Sequence, residues 1–170
     1  MKITTKTGDK GETSLFGGSR VSKASSFIKM VGELDELQAV VGWCRVEMDG
    51  EGALAMDKVQ DDLYRIMSVV GFEFKCPGNI KMIDESDVEF LEKEMGKYEE
   101  EMDKVKEFVR PGGSELATRL HIARTVCRRV ERGMVEMKEE ANEEGKDASE
   151  AILKYLNRLS DFLFVLAYRA

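Results

Sequence analysis

The chain has 170 residues, of which 42% are hydrophobic and 35% charged, and it contains only two prolines. This composition is typical of a helix-rich globular protein and argues against a disordered chain, and the length predicts a single domain over residues 1–170. The formal net charge of −7 argues against a nucleic-acid binder that works through bulk positive charge.

Residues 1–23 do not have a helical pattern. Glycines at positions 8, 11, 17 and 18 are interspersed with threonines, lysines and serines. Glycines at this density interrupt regular helix, so the segment predicts an ordered loop or short strands.

Two helices are predicted next from apolar residues at spacings of three and four. The stripe of the first helix is Met30, Leu34, Leu37, Val41, Cys44 and Met48. The stripe of the second is Met56, Val59, Leu63, Ile66 and Val70. The turn signal "CPGN" at 76–79 follows the second helix.

A third helix is predicted to open at Ser86, because Ser86 and Glu89 have the spacing of a capping box. Its stripe is Val88, Leu91, Met95, Tyr98, Met102 and Val105. The segment "VRPGGS" at 109–114 ends it.

Ser114 is the predicted cap of a fourth helix. Its stripe is Leu116, Leu120, Ala123, Cys127, Val130, Met134 and Met137. We interpret "NEEGK" at 142–146 as a loop and residues 148–169 as a last helix, which is apolar nearly all round in its second half.

Five amphipathic helices joined by short turns predict an all-α fold. We expect a five-helix antiparallel bundle over residues 24–170, in a ferritin-like up-down arrangement, preceded by the irregular segment 1–23.

Cysteine and histidine usage restricts the chemistry. Cys44, Cys76 and Cys127 are widely spaced and form no C-x-x-C pair, which favours a reducing cytosol over a disulfide framework. The one histidine, His121, excludes a multi-histidine metal site. No signal-peptide pattern opens the chain, and the longest apolar run, 162–168, is too short to cross a bilayer. We therefore expect a cytoplasmic protein.

Three arginines form a row on the fourth helix. Arg124, Arg128 and Arg132 are spaced i, i+4 and i+8, which places them about 6 Å apart on one flank of the helix. The planar guanidinium fork suits bidentate contact with phosphate, so the row fits a polyphosphate. The alternative is a solvated face, or arginines paired with acids of neighbouring helices.

The segment "TKTGDKGETS" at 5–14 offers close backbone approach together with hydroxyls at Thr5, Thr7, Thr13 and Ser14. Such loops bind phosphate through their backbone N–H groups. The segment is not a Walker A motif, and the alternative is a flexible arm.

Four blocks in this order carry a resemblance to a known family: "TKTGDKGETSLFGGSRVSK", "GELDELQAVVG", "FVRPGGSELATRLHIARTVCRRVER" and "YLNRLSDFLFVLA". They resemble the PduO-type ATP:corrinoid adenosyltransferases from residue 3 to about residue 167. The resemblance implies a five-helix bundle that assembles as a homotrimer with active sites at the subunit interfaces.

The implied activity is transfer of the 5′-deoxyadenosyl group of ATP to the cobalt of cob(I)alamin, giving adenosylcobalamin and triphosphate. Mg²⁺ is implied to accompany ATP. A cob(II)alamin reductase and an enzyme that uses adenosylcobalamin are implied as partners, whereas nucleic acid and membrane are not. Arginines around the departing triphosphate would stabilise the charge that develops on it.

The resemblance also implies a set of ATP-binding residues. From residues 1–23 they are Thr5, Lys6, Thr7, Gly8, Thr13, Ser14 and Lys23. From the last two helices they are Arg128, Arg129, Glu131, Arg132 and Asn157, with Glu131 also near the metal.

Three further residues receive roles from the resemblance. Asp35 is implied to pair with Arg128 and to hold the interface site together. Phe108 is implied to cover the lower face of the corrin and exclude the axial ligand, which makes cob(II)alamin easier to reduce. Arg124 is implied to contact the corrinoid. His121 is interpreted as structural, because the implied mechanism needs no protein ligand to cobalt.

Two other hypotheses stay open at this point. One is a non-catalytic bundle that senses ATP or polyphosphate, and it predicts tight ATP binding without corrinoid chemistry. The other is a purely structural bundle, which predicts no rise in melting temperature with ATP.

Overall fold

A computed structural model of the chain describes residues 4, 6–78, 80–99, 102, 109–140 and 143–170, the side chains of 140, 143 and 144 excepted. Within these residues the chain forms two short strands and five helices. The strands are β1 (Glu12–Ser14) and β2 (Arg20–Ser22). The helices are α1 (Ser26–Arg45), α2 (Gly50–Gly71), α3 (Glu85–Glu99), α4 (Glu115–Glu140) and α5 (Glu143–Arg169).

The two strands form an antiparallel hairpin in which Thr13 pairs with Val21. The Leu15 amide donates to the Ser19 carbonyl across the connecting turn, over 3.0 Å. Gly18 takes a φ of 87° in that turn, a conformation open to glycine at little cost. The segment is therefore ordered and non-helical, as its glycine content predicts.

Helix capping explains where α1 and α4 begin. The Ser25 side chain accepts a hydrogen bond from the Ile28 amide. The Ser114 side chain accepts one from the Ala117 amide over 2.9 Å, so the predicted cap of the fourth helix is confirmed. Each serine satisfies a backbone donor that the first helical turn leaves without a partner.

The predicted capping box of α3 is wrong by two residues. The Asp84 carboxylate accepts from the Ser86 amide over 2.9 Å, and the Asp87 carboxylate accepts from the Asp84 amide over 3.1 Å. This reciprocal pair has the geometry of a capping box. Because Asp84 already accepts a hydrogen bond from the first turn, α3 begins at Glu85 and Ser86 lies inside the helix.

Three predicted boundaries also differ from the structure. Met48 follows the end of α1, and Met102 lies outside α3; Val105 lies outside the described residues. The predicted loop at 142–146 is wrong, because α5 already begins at Glu143. Gly145 is buried inside α5, where its carbonyl accepts a hydrogen bond from Ser149 over 2.6 Å, and tertiary packing outweighs the weak helix propensity of glycine.

The helices pack in a defined neighbourhood: α1 lies against α2 and α4, α4 lies against α5, and α5 lies against α3. The predicted stripes of α1, α2 and α4 form the core, with Leu37, Val41, Met56, Ile66 and Leu120 fully buried. The all-α bundle is thereby confirmed. No helix among the described residues has both the length and the apolar character that a membrane span requires.

A buried ionic cluster joins α2, α3 and α5. Arg65 donates to both Asp62 and Asp87, and Lys58 lies 3.0 Å from Asp87. The Tyr155 hydroxyl donates to Asp62 over 3.0 Å. Burial alone raises the pKa of Asp87, but hydrogen bonds from Arg65 and Lys58 outweigh it and hold the pKa at about 2. The Asp87 carboxylate is therefore charged, and it is paired with Arg65 and Lys58.

Candidate functional site

The N-terminal arm, defined as residues 6–23, folds back on itself. Arg20 donates to the Thr7 carbonyl over 3.1 Å and pairs with Glu12 at 3.3 Å. The Lys23 amide donates to the Gly11 carbonyl over 2.9 Å. Arginine and backbone hydrogen bonds thus order the arm's glycine-rich part.

Gly8 and Lys23 lie in direct proximity. A Cβ atom on Gly8 would stand 3.0 Å from the Lys23 ammonium nitrogen. The absence of a side chain at Gly8 therefore leaves room for the Lys23 ammonium beside the arm's backbone, where its positive charge favours an anion.

A cavity of about 340 Å³ separates the arm from the helices. Its apolar wall comes from Leu15 and Phe16 of the arm, from α1 and from α2, and its polar side comes from hydroxyls and one ammonium. The lining residues are Thr13, Ser14, Leu15, Phe16, Lys23, Ile28, Val31, Gly32 and Gly71. An apolar pocket with a few polar groups at one side is typical of a small-ligand site.

The arginine row lies on the flank of α4 that borders α5. Arg128 and Arg132 are exposed and Arg124 is half-buried. Arg132 donates to the Arg128 carbonyl over 3.0 Å. Glu131, on the same flank, accepts a hydrogen bond from Asn157 of α5 over 3.0 Å. The structure thus brings four of the predicted ATP-binding residues together: Arg128, Glu131, Arg132 and Asn157.

Arg124 borders His121. The Nε of Arg124 and the Nδ1 of His121 are buried without a hydrogen-bond partner among the described residues. His121 is 4% exposed and contacts the edge of Phe164 at 6.3 Å between centroids. Burial lowers the pKa of His121, and the charge of Arg124 lowers it further. A neutral imidazole packed on an aromatic ring agrees with the structural role expected for it.

Arg129 points toward a different neighbour. It pairs with Glu36 of α1, and hydrogen bonding to Glu36 raises the pKa of Arg129. Successive helical residues point about 100° apart, which explains why Arg129 faces α1 while Arg128 does not. Arg129 therefore lies apart from the predicted ATP-binding residues of α4 and α5.

Asp35 is exposed and lies one helical turn after Val31, on the flank of α1 that borders the cavity. It makes no hydrogen bond or ion pair with Arg128 among the described residues of the chain. Thr5 and Phe108, which the resemblance assigned to ATP and corrinoid binding, lie outside the described residues.

Sequence reasoning missed the apolar wall of the cavity, namely Ile28, Val31 and Gly71. Ile28 and Val31 lie off the core stripe of α1, and only the docking of the arm gives them a function. Phe16 had a usable signal in the sequence, since it is an aromatic residue directly before two glycines in a segment without helical pattern.

The fold and site define a class: a helical bundle that presents a phosphate-compatible arm, a small-ligand cavity and a row of arginines. Comparison with known proteins identifies the family. The family model for cobalamin adenosyltransferase matches residues 3–170. The chain belongs to this family.

Individual relatives agree. A corrinoid adenosyltransferase of Bacillus subtilis is 36% identical, over 98% of this chain and 85% of its own length. A cobalamin adenosyltransferase of Cupriavidus metallidurans is 40% identical, over 98% and 86% of the respective lengths. A variant PduO-type ATP:corrinoid adenosyltransferase from Lactobacillus reuteri, in complex with cobalamin and ATP, superposes with a TM-score of 0.82 at 30% identity, covering 98% of this chain and 91% of that chain.

Proposed function

We propose that this protein transfers the 5′-deoxyadenosyl group of ATP to the cobalt of cob(I)alamin, giving adenosylcobalamin and releasing triphosphate. The cobalt(I) electron pair forms the new bond to C5′, and the C5′–O bond breaks with its electron pair leaving on the triphosphate. Family membership supports the reaction. The observation that carries it to this chain is the cavity, whose apolar wall suits a nucleoside and whose polar side suits phosphate.

The arm supplies one half of the ATP site in this proposal. Lys23 offers a positive charge beside Gly8, and Thr13 and Ser14 line the cavity. We assign the phosphates to the arm residues Thr5, Lys6, Thr7, Gly8, Thr13, Ser14 and Lys23.

The arginine row supplies the other half. Arg128 and Arg132 are exposed on one flank of α4, and fixed guanidinium groups stabilise negative charge as it develops on the leaving triphosphate. Asn157 contacts the nucleotide and is oriented by its hydrogen bond to Glu131. Arg129 pairs with Glu36, so Arg129 contacts ATP in this proposal only where ATP displaces Glu36.

The two halves lie on different flanks of the chain. The cavity borders α1 and α2, whereas the arginine row borders α5. This separation supports a homotrimer in which the arm of one subunit meets the row of the next. Asp35, on the cavity side of α1, would then pair with Arg128 across the interface.

Mg²⁺ fits this arrangement as the companion of ATP. Among the described residues there is no group of three or more His, Cys, Asp or Glu side chains that could hold a metal. Mg²⁺ retains waters and binds through few carboxylates plus phosphate oxygens, so Glu131 is the one protein group assigned near it. The ion, when bound, neutralises charge on the triphosphate.

The corrinoid half is proposed for Arg124 and Phe108. Arg124 is half-buried, and its assignment to the corrinoid follows from the resemblance. Phe108, by the resemblance, excludes the lower axial ligand, because a phenyl ring offers cobalt no donor atom. The three free cysteines support a reducing cytoplasm as the location.

The test is a spectral assay. The protein is mixed with ATP, Mg²⁺ and chemically reduced cobalamin, and the cob(I)alamin absorbance is followed. We expect ATP-dependent conversion to adenosylcobalamin. Tight ATP binding without conversion would contradict the proposal in favour of an ATP sensor, and no ATP-dependent rise in melting temperature would indicate a structural bundle.

A further inference from the structure

The turn of the arm hairpin is attached to the end of α2. The Phe16 amide donates to the Gly71 carbonyl over 3.0 Å. The Phe16 ring meets the ring of Phe72 edge-on at 5.7 Å between centroids. The Ser19 hydroxyl donates to the Glu73 carboxylate over 3.4 Å. The last residue of α2, Gly71, and the next two residues, Phe72 and Glu73, therefore contact the hairpin turn.

Gly71 permits this attachment because it has no side chain. A Cβ atom there would stand 2.6 Å from Cδ2 and 2.8 Å from Cε2 of Phe16, with the base of the ring, Cγ, at 3.2 Å. The Phe16 backbone is held by its hydrogen bond to the same residue. A side chain at position 71 would therefore push the whole Phe16 residue, and not merely the far end of a mobile group.

The segment that receives the arm has an unusual backbone. Glu73 and Phe74 have φ values of 54° and 63°, which non-glycine residues rarely adopt. The Phe74 amide donates to the Val69 carbonyl over 3.0 Å, and its ring packs against Phe27 at 6.0 Å. Such conformations persist where surrounding contacts over-determine them. The α2 exit turn, defined as residues 70–75, is therefore held in one conformation by its contacts and can position the arm.

The attachment is coupled to the cavity by chain connectivity. Thr13 and Ser14 line the cavity and directly precede Leu15 and Phe16. Phe16 and Gly71 also border it. We infer that the α2 exit turn sets the position of the ATP-binding arm, with Phe16 and Gly71 as positioning residues whose contact places the arm's hydroxyls at the phosphates. This inference rests on the proposed function of the arm.

The first variant is Gly71→Ala. The added methyl displaces Phe16 and with it Thr13 and Ser14. We expect the KM for ATP to rise about tenfold or more, because small displacements of binding groups are costly. We expect kcat at saturating ATP and cob(I)alamin to fall less than kcat/KM for ATP, because the arginine row is untouched.

Two controls isolate the contact. Gly96→Ala adds the same methyl inside α3, where nothing lies within 4 Å of it, and we expect an unchanged KM. Phe16→Ala removes a side chain that is 54% exposed, so the core stays intact and the KM rises through loss of the attachment. In the Phe16→Ala background, we expect Gly71→Ala to cause no further rise in KM, since the ring atoms that the added methyl would contact are absent.

An ATP-independent measurement completes the test. Lys10, Arg20 and Lys23 are exposed in the arm, so a released arm is cut faster by trypsin while the bundle resists. We expect faster arm cleavage in Phe16→Ala and Gly71→Ala than in wild type and Gly96→Ala. Unchanged KM and cleavage in Phe16→Ala would overturn the inference, even if Gly71→Ala failed to fold. A wild-type protein without ATP-dependent conversion would refute the proposed function, while the cleavage comparison would still decide on the attachment.

Discussion

Arg128 occupies the middle of the arginine row, exposed, and its guanidinium makes no hydrogen bond or ion pair to a described residue. Its neighbour Arg129 pairs with Glu36, and Arg158 of α5 pairs with Glu92. A guanidinium without an acidic partner, on a chain with net charge −7, is available to an anionic ligand. At the residue scale, this separates Arg128 from arginines that stabilise the bundle.

Arg128→Lys keeps the charge but loses the planar fork. We expect kcat for adenosylation to fall about 100-fold, the effect of removing one donor that stabilises developing charge. The measurement is the initial rate with chemically reduced cob(I)alamin at saturating ATP. The matched control, Arg158→Lys, alters an ion pair at the surface of the bundle and leaves the rate within about twofold. Equal rates for Arg128→Lys and wild type would remove Arg128 from its assigned role.

Phe108→Ala tests the proposed exclusion of the axial ligand. Reaction that starts from pre-reduced cob(I)alamin does not depend on that step, so we expect it to be spared. Reaction that starts from cob(II)alamin with a reductant is expected to slow by about 100-fold or more, since a bound axial ligand makes reduction harder. Both rates are measured on the same preparation, and equal damage to both would contradict the role.

At the element scale, the buried ionic cluster links α2 to α3 through Asp87 and links α2 to α5 through Tyr155. Asp62 is fully buried and is reached by Lys58, Arg65 and Tyr155. Charged groups in such a network satisfy one another only in one arrangement of the helices. Helices that contact only through apolar stripes can shift along one another. The ionic cluster therefore fixes the relative position of the helices along their axes.

Asp62→Ala removes one of the two carboxylates that Lys58 and Arg65 contact, and it leaves the buried Tyr155 hydroxyl without its acceptor. We expect the free energy of unfolding to fall by about 1–3 kcal/mol, the cost of a buried polar group left without a partner. The adjacent Asp61 is exposed, and Asp61→Ala is expected to change stability by less than about 0.5 kcal/mol. Urea denaturation of both variants provides the measurement, and similar midpoints would show that the cluster contributes little.

At the scale of the whole molecule, the arm and the arginine row lie on different flanks. The arm docks over α1 and the end of α2, and the row faces α5. We therefore propose that each chain contributes two half-sites. In the proposed homotrimer, rotational symmetry would bring the arm of one subunit to the arginine row of its neighbour.

A mixing experiment distinguishes a shared site from one built within a single chain. Lys23→Ala disables the arm and Arg128→Ala disables the row, so each variant alone is expected to be nearly inactive. Co-expressed in equal amounts, they form mixed oligomers in which about a quarter of interfaces join an intact arm to an intact row. We expect activity to return to about that fraction of wild type. Activity no higher than that of the separate variants would contradict the shared site.

The pattern of the chain determined which residues form the core. Spacings of three and four in α1, α2 and α4 predicted buried side chains such as Leu37, Ile66 and Leu120, because helical periodicity alone sets which face is apolar. Ser114 as a cap followed from local chemistry. The wrong predictions concerned the ends of elements. Asp84 and not Ser86 caps α3, and α5 includes Gly145, which was predicted to lie in a loop.

The family and its implied chemistry also followed from sequence, since the motifs span the chain. The assigned roles of the site residues stay predictions. Only the tertiary structure decided which arginine meets Glu36, which wall closes the cavity, and why Gly71 must lack a side chain. These features depend on contacts between residues distant along the chain, and a local pattern carries no information about the distance between two helices or the approach of a ring to a backbone.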